Sequence, residues 1–287
     1  MLKIENLTKY YGNILGVEDI SLDIKDGEIF GFIGPNGAGK STTIKCVLNF
    51  LNKDSGTILV DNKEVDDKLK DIIGYLPSEV NLYDDLTVKQ MIEYNNSFYK
   101  KDCLKRADYL VKKLEIDVTK KTDELSLGNL KKVGIVLALM HEPKLVILDE
   151  PTSGLDPLMQ EVFFEIMLEE KKNGTSIFFS SHNLNEVKKI CDRVAIIRKG
   201  KIVEIDEVKN IVKNKFVIVT VKAKDIKKIN FPLKDMKIKE MKKDLITFVY
   251  QDDINKIISL IKDISVDELL IEEPTIEEIF MHYYKED

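Results

Sequence analysis

The sequence predicts an α/β fold with a mainly parallel sheet, followed by a smaller α+β module. Three observations carry this expectation. Short apolar runs of strand type alternate with helical stretches over residues 1–210. One of these runs, EIFGFIG, enters a glycine-rich loop and is followed by a helical pattern, the order that a phosphate-binding unit requires. From about Ile211 the texture shifts to strand-rich segments around a single apolar helical stretch.

In chain order, LKIENL and VEDISLDI alternate apolar and polar residues at period two, as half-buried strands do. A turn follows at Asp26-Gly27, and then EIFGFIG is apolar enough for a strand covered on both faces. After the loop GPNGAGKST, the run TIKCVLNFL repeats its apolar positions at helical spacing. KLVILDEP and TSIFFSSH are two more strands of buried type, separated by the helical stretch PLMQEVFFEIMLEEKKNG. Beyond the boundary, FVIVTV, MKIKEM and LITFVY read as strands and NKIISLIKDI as a helix. Pro274-Thr275 opens a last helix, with Thr275 and Glu278 spaced as a capping box. Two domains are therefore expected, 1–210 and 211–287. The second divides its charge, with 11 Lys against 3 acids over 211–243 and 12 acids against 3 Lys over 244–287. These blocks read first as solvated faces of one module, and second as a contact surface for another copy or subunit.

Composition sets the outer limits. The chain has 287 residues, 44% of them hydrophobic and 33% charged, which is a globular balance and too apolar for a disordered chain. Its longest apolar runs, such as Gly134 to Met140 and Leu145 to Leu148, fall far short of the ~18 residues that cross a bilayer. The start, MLKIENLTKY, lacks an apolar run behind a basic segment, so no secretory signal is expected and the chain should stay in the cytosol. Cys46, Cys103 and Cys191 show no CxxC spacing, which argues against a disulfide framework and a zinc site; all three read as small buried hydrophobes. A net charge of −6 gives no basic character with which to hold nucleic acid.

Three motifs carry chemistry. GPNGAGKS, from Gly34 to Ser41, fits G-x-x-x-x-G-K-[ST]. Such a loop turns backbone N–H groups toward phosphates, with Lys40 neutralising the β and γ oxygens and Ser41 offering a hydroxyl to magnesium. LVILDE is a buried strand ending in adjacent carboxylates. Asp149 suits a magnesium ion and its waters, and Glu150 suits polarising an attacking water. LSLGNLKKVGIVLALM, from Leu125, sets Ser126 and Gly128 at the opening of a helix, a second site for an anion.

Taken together over residues 1 to about 210, these motifs resemble the ATP-binding subunit of an ABC transporter. Walker A lies at 34–42 (Gly34, Pro35, Asn36, Gly37, Ala38, Gly39, Lys40, Ser41, Thr42), the signature at 125–129 and Walker B at 145–150. The D-loop SGLD follows at 153–156 and the switch histidine His182 stands in SSH. The resemblance implies a P-loop NTPase domain with a mainly parallel sheet, an antiparallel β subdomain and a helical subdomain. It implies ATP and Mg²⁺ as ligands, Tyr11 stacked on adenine with Tyr10 as the alternative, and Ser126, Gly128 and Asp156 at the nucleotide. His182 would meet the γ-phosphate. The implied partners are separately encoded transmembrane permease subunits and a second copy or a homologous ATPase, at the inner face of the cell membrane.

Two departures stand out. The signature LSLGN has Leu127 and Asn129 where the family has LSGGQ, and IIGYLPSE puts Ser78, beside Glu79, where the family carries a glutamine that contacts the metal. The closing EEPTIEEIFMHYY looks like the end of ATPases serving drug, peptide or polysaccharide exporters. Export driven by ATP hydrolysis is the favoured reading, with 211–287 as an accessory, regulatory domain. The rival is a soluble or weakly hydrolysing regulatory ATPase not coupled to transport.

Overall fold

The computed structural model describes residues 1–66, 69–213, 216–224, 236–251, 253–262, 265–272 and 274. They belong to two compact units, Met1–Val208 and Lys209–Asp287.

The first unit begins with a β-hairpin, β1 (Leu2–Tyr11) and β2 (Ile14–Ile24), and then β3 (Ile29–Ile33), α1 (Lys40–Val47) and β4 (Ser55–Val60). The order β2-β1-β4 makes a three-stranded antiparallel sheet. Its period-two pattern does what the sequence demands: Leu2, Ile4, Ile20, Leu22 and Ile24 are buried while Lys3, Glu5, Ser21 and Asp23 are exposed. Next come β5 (Ile73–Leu76), α2 (Val88–Asn96), α3 (Leu104–Lys113), α4 (Leu127–Leu139), β6 (Leu145–Asp149), α5 (Pro157–Lys172), β7 (Ser176–Ser181), α6 (Leu184–Ile190), β8 (Arg193–Arg198) and β9 (Lys201–Glu207). The second sheet runs β5-β6-β7-β3-β8-β9, parallel throughout except for the antiparallel pair β8-β9. Every residue of β3, β6 and β7 is buried, as expected of interior strands covered on both faces. One apolar core joins the two sheets through Leu2, Ile20, Phe30, Phe32, Ile147 and Phe178. The helices start where capping chemistry allows. Thr87 and Gln90 form a reciprocal capping box on α2, and Asp156 with Pro157 opens α5.

A buried histidine gives this unit an acid-sensitive point. His141, just past the end of α4, is 4% exposed, stacks flat on Tyr99 at 4.4 Å and places Nε2 3.2 Å from the Ile73 carbonyl. Its Nδ1 is buried and has no hydrogen-bond partner among the described residues. A proton added there would meet no acceptor, and burial lowers the pKa from 6.5 to about 4. The folded state thus favours the neutral ring, so its contribution is complete above the unfolded pKa and is lost as pH falls from 6.5 toward 4. At the acid end the loss reaches about 3 kcal/mol. Thermal melts across this range should show a steeper acid decline for the wild type than for His141→Phe, which cannot titrate. Parallel curves would refute the assignment.

Helix α7 (Val208–Lys213) carries the chain across the division. The second unit holds β10 (Val217–Ala223), β11 (Met236–Met241), β12 (Leu245–Tyr250), α8 (Ile254–Ile261) and β13 (Val266–Glu272). Its sheet, in the order β11-β12-β10-β13, is antiparallel throughout, with Val219, Val221, Phe248, Tyr250, Ile257 and Ile261 forming a separate core. Strand β13 escaped the sequence reading. VDELLIE lacks clean alternation because a register shift opposite Lys222 and Ala223 puts Val266 and Leu269, three residues apart, on the same core face, and among the described residues it is an edge strand paired with β10 alone. The expected helix from Pro274-Thr275, with Glu278, and the closing motif after Pro274 lie outside the described residues. The three cysteines are free and buried. Among the described residues no helix is long and apolar enough to cross a membrane.

Candidate functional site

The parallel register builds the site. Ile33 pairs with Ser181, and Asp149 pairs with Ser180, so the ends of β3, β6 and β7 lie side by side. Each strand hands over to a motif there: β3 to the Gly34 loop, β6 to Glu150 and β7 to His182. This is the carboxyl edge of an open α/β sheet, where ligands bind. Gly34 N–H donates to the Ser181 carbonyl at 3.3 Å and Glu150 N–H to the Ser180 carbonyl at 3.2 Å, which stitches the three ends together.

The loop hands over to α1 at Gly39, whose φ of +110° lies in the left-handed region, and a Cβ there would stand 2.6 Å from Val17. Only glycine lets the chain turn into the helix at that point. Lys40 follows, buried to 6% exposure, its ammonium donating to the carbonyls of Gly34 at 2.7 Å and Pro35 at 3.3 Å. It stands 3.2 Å from Glu150 Oε1. That oxygen is buried and has the charge of Lys40 beside it but no aligned hydrogen bond among the described residues. Glu150 Oε2 accepts from His182 Nδ1 at 2.8 Å. Lys40, Glu150 and His182 thus form one line of charge and hydrogen bonding across the three strand ends. Asp149, 2% exposed, accepts the Ser180 hydroxyl at 2.7 Å.

The ligands implied by the motifs can be tested against these atoms. A phosphate brought to the loop would give Lys40 a stronger partner than two carbonyls and would free Glu150, so the cradle fits an anion. For magnesium, the Ser41 hydroxyl and the Asp149 carboxylate are hard oxygen donors. No cluster of three or more His, Cys, Asp or Glu placed to hold a metal exists among the described residues. Bound there, the ion would neutralise phosphate charge. A carboxylate backed by an imidazole, in the place of Glu150, is arranged to accept a proton from water.

The remaining candidates fall elsewhere. Tyr11, 47% exposed, reaches the loop through its hydroxyl, 3.3 Å from Thr42 Oγ1, whereas the Tyr10 hydroxyl faces Glu18 at 3.4 Å. Ser126 caps α4, its oxygen accepting the Asn129 N–H at 3.4 Å, and Asp156 caps α5 by accepting the Met159 N–H at 3.0 Å. At Gly128 a Cβ would lie 2.6 Å from the Gly154 carbonyl, so the signature helix starts against the D-loop. No hydrogen bond or ion pair joins Ser126 or Gly128 to residues 34–42 of the same chain among the described residues. The Ser78 side chain is exposed, and its carbonyl accepts from Lys131.

Three contributors went unnoticed in the sequence. Ser180 holds both Asp149 and the Glu150 peptide. Glu186 on α6 accepts hydroxyls from Thr152 at 2.8 Å and Ser181 at 2.7 Å, bracketing the segments that carry Glu150 and His182. Lys131 is buried inside α4. Ser180, in the pair before His182, had a positional signal; Lys131 and Glu186 sit in helical patterns where charge ordinarily faces solvent.

Fold and site together define a P-loop nucleotide-hydrolysing domain. Residues 17–153 match the family model described as ABC transporter. An ABC transporter ATP-binding protein of Methanocaldococcus jannaschii is 35% identical over 86% of this chain and 94% of its own. The linearmycin resistance ATP-binding protein of Bacillus subtilis is 36% identical over 71% of this chain and 68% of its own. Among solved structures, a dimeric ATP-binding cassette in a post-hydrolysis state with ADP and Pi superposes with a TM-score of 0.66 at 26% identity, covering 72% of this chain and 99% of that one. The chain belongs to the ATP-binding proteins of ABC transporters: it is an ATPase subunit that energises transport.

Proposed function

We propose that two copies, or one copy and a homologous ATPase, meet head to tail and drive an exporter whose membrane-spanning permease subunits are separate chains at the inner face of the cell membrane. In this reading Lys40 and the backbone of residues 34–42 hold the phosphates of ATP, Tyr11 faces the adenine, and Ser41 and Asp149 hold Mg²⁺ with its waters. Glu150 polarises the attacking water and His182 meets the γ-phosphate. Ser126 and Gly128 of one copy close on the nucleotide of the other, next to the D-loop with Asp156. The observation that carries the proposal is the separation within one chain: the signature helix start packs on Gly154 and, among the described residues, makes no hydrogen bond to its own phosphate loop. The second anion site then finds its use across an interface, and the solved relative's dimeric state supports this. The resistance function named for the Bacillus subtilis relative supports the direction of transport. Residues 211–287 serve as the accessory, regulatory domain.

A mixing experiment tests the shared site. Lys40→Ala and Ser126→Arg are each expected to be inactive alone. A mixed dimer of the two contains one site with both defects and one with neither, so combining them should restore Mg²⁺-dependent phosphate release. A mixture no more active than its components would overturn the head-to-tail arrangement.

A further inference from the structure

The mechanism above leaves one buried cation without a task. Lys131 lies on the second turn of α4 and is 4% exposed. Its Nζ donates to the carbonyls of Pro77 at 3.1 Å, Ser78 at 2.5 Å and Glu150 at 3.5 Å. An ammonium has three N–H donors, and here all three go to backbone oxygens. Burial lowers its pKa, and the charges of Asp149, Glu150 and Glu79 oppose that shift without cancelling it.

Two of those carbonyls belong to the segment in which Ser78 stands where related cassettes carry a glutamine. The third belongs to Glu150, whose φ of +49° places a non-glycine residue in the left-handed region. Such a conformation persists only where its surroundings over-determine it. Glu150 is held on its amide side by the Ser180 carbonyl at 3.2 Å and the Ser180 hydroxyl at 3.4 Å, and on its carbonyl side by the Ser153 N–H at 3.3 Å together with Lys131 at 3.5 Å.

We propose that Lys131 is a positioning residue for hydrolysis, its ammonium tying the Pro77–Ser78 backbone to the Glu150 peptide so that the location of that segment sets the aim of the Glu150 carboxylate. No side chain at position 78 is required for this link, because the cation reads backbone oxygens. The inference rests on Glu150 as the group that polarises water.

Steady-state ATP hydrolysis and ADP binding by calorimetry on the full chain test it, for wild type, Lys131→Met and Lys131→Arg, with Glu150→Gln as reference. Lys131→Met should lower kcat about ten- to a hundredfold, the scale of a misaimed group, while KM and the ADP Kd stay within about threefold. Lys131→Arg, which returns N–H donors and charge, should recover most of the lost kcat. Near-normal kcat in Lys131→Met overturns the proposal, and so does a loss of kcat that runs in step with ADP affinity and thermal stability. Should Lys131→Met fail to fold, Lys131→Gln is judged by the same two outcomes. If Glu150→Gln itself hydrolyses ATP normally, the underlying role of Glu150 falls; if it is inactive and Lys131→Met is normal, only the role of Lys131 falls.

Discussion

Glu150→Gln is expected to bind ATP and to lose turnover by about 10²–10⁴-fold, the usual contribution of a positioned general base. The amide keeps the shape of the side chain and its place beside His182, but it cannot accept the proton of the attacking water. Binding should also become tighter. In the wild type the Lys40 ammonium stands 3.2 Å from Glu150 Oε1, and an incoming phosphate must compete with that charge. The neutral amide removes the competitor and leaves Lys40 to the phosphates alone. The variant should accumulate as an ATP-dependent dimer, because closure without hydrolysis has no route back. Phosphate release, calorimetric titration with ATP and size-exclusion chromatography with and without Mg-ATP read these three effects. Near-normal hydrolysis would move the base role elsewhere, with Glu79 the first residue to test.

Lys40→Ala should weaken ATP binding by about a hundredfold or more, since it removes a buried charge from a loop whose remaining donors are backbone N–H groups. The fold should survive. Among the described residues the polar partners of Lys40 are loop carbonyls and Glu150, whereas the apolar core that joins the two sheets lies in other residues. The variant should therefore give a wild-type circular dichroism spectrum together with a flat ATP titration. Unchanged ATP affinity would sink the phosphate-loop assignment, and a lost spectrum would assign Lys40 a structural role instead. The pair of variants separates binding from chemistry: one loses the ligand, the other keeps it and loses the reaction.

The candidate motifs were legible in the sequence because each is local. Gly34 to Ser41, Asp149-Glu150 and His182 all lie at the ends of strands whose apolar runs are unmistakable, and a parallel sheet brings its strand ends to one edge. Period and composition likewise announced β1, β2, β3, β6, β7 and the change of texture near Ile211. The strand β13 was hidden because a bulge in its pairing with β10 sets its core-facing residues Val266 and Leu269 three apart and breaks the period of two.

What tertiary structure alone decided is which groups meet across the chain. Nothing in LSLGNLKKVGI distinguishes Lys131 from the half-buried Lys132 beside it, yet α4 turns the first toward the Pro77–Ser78 carbonyls and Glu150. Nor does helical patterning say that Glu186 will hold the hydroxyls of Thr152 and Ser181, or that Gly128 must be glycine because the Gly154 carbonyl lies against it. The physical reason is the range of the forces involved. Strand and helix preferences and loop chemistry act among neighbours in sequence, so the chain by itself declared a phosphate loop, its carboxylates and the family they belong to. Hydrogen bonds to backbone carbonyls act over about 3 Å between atoms that only a packed core brings together.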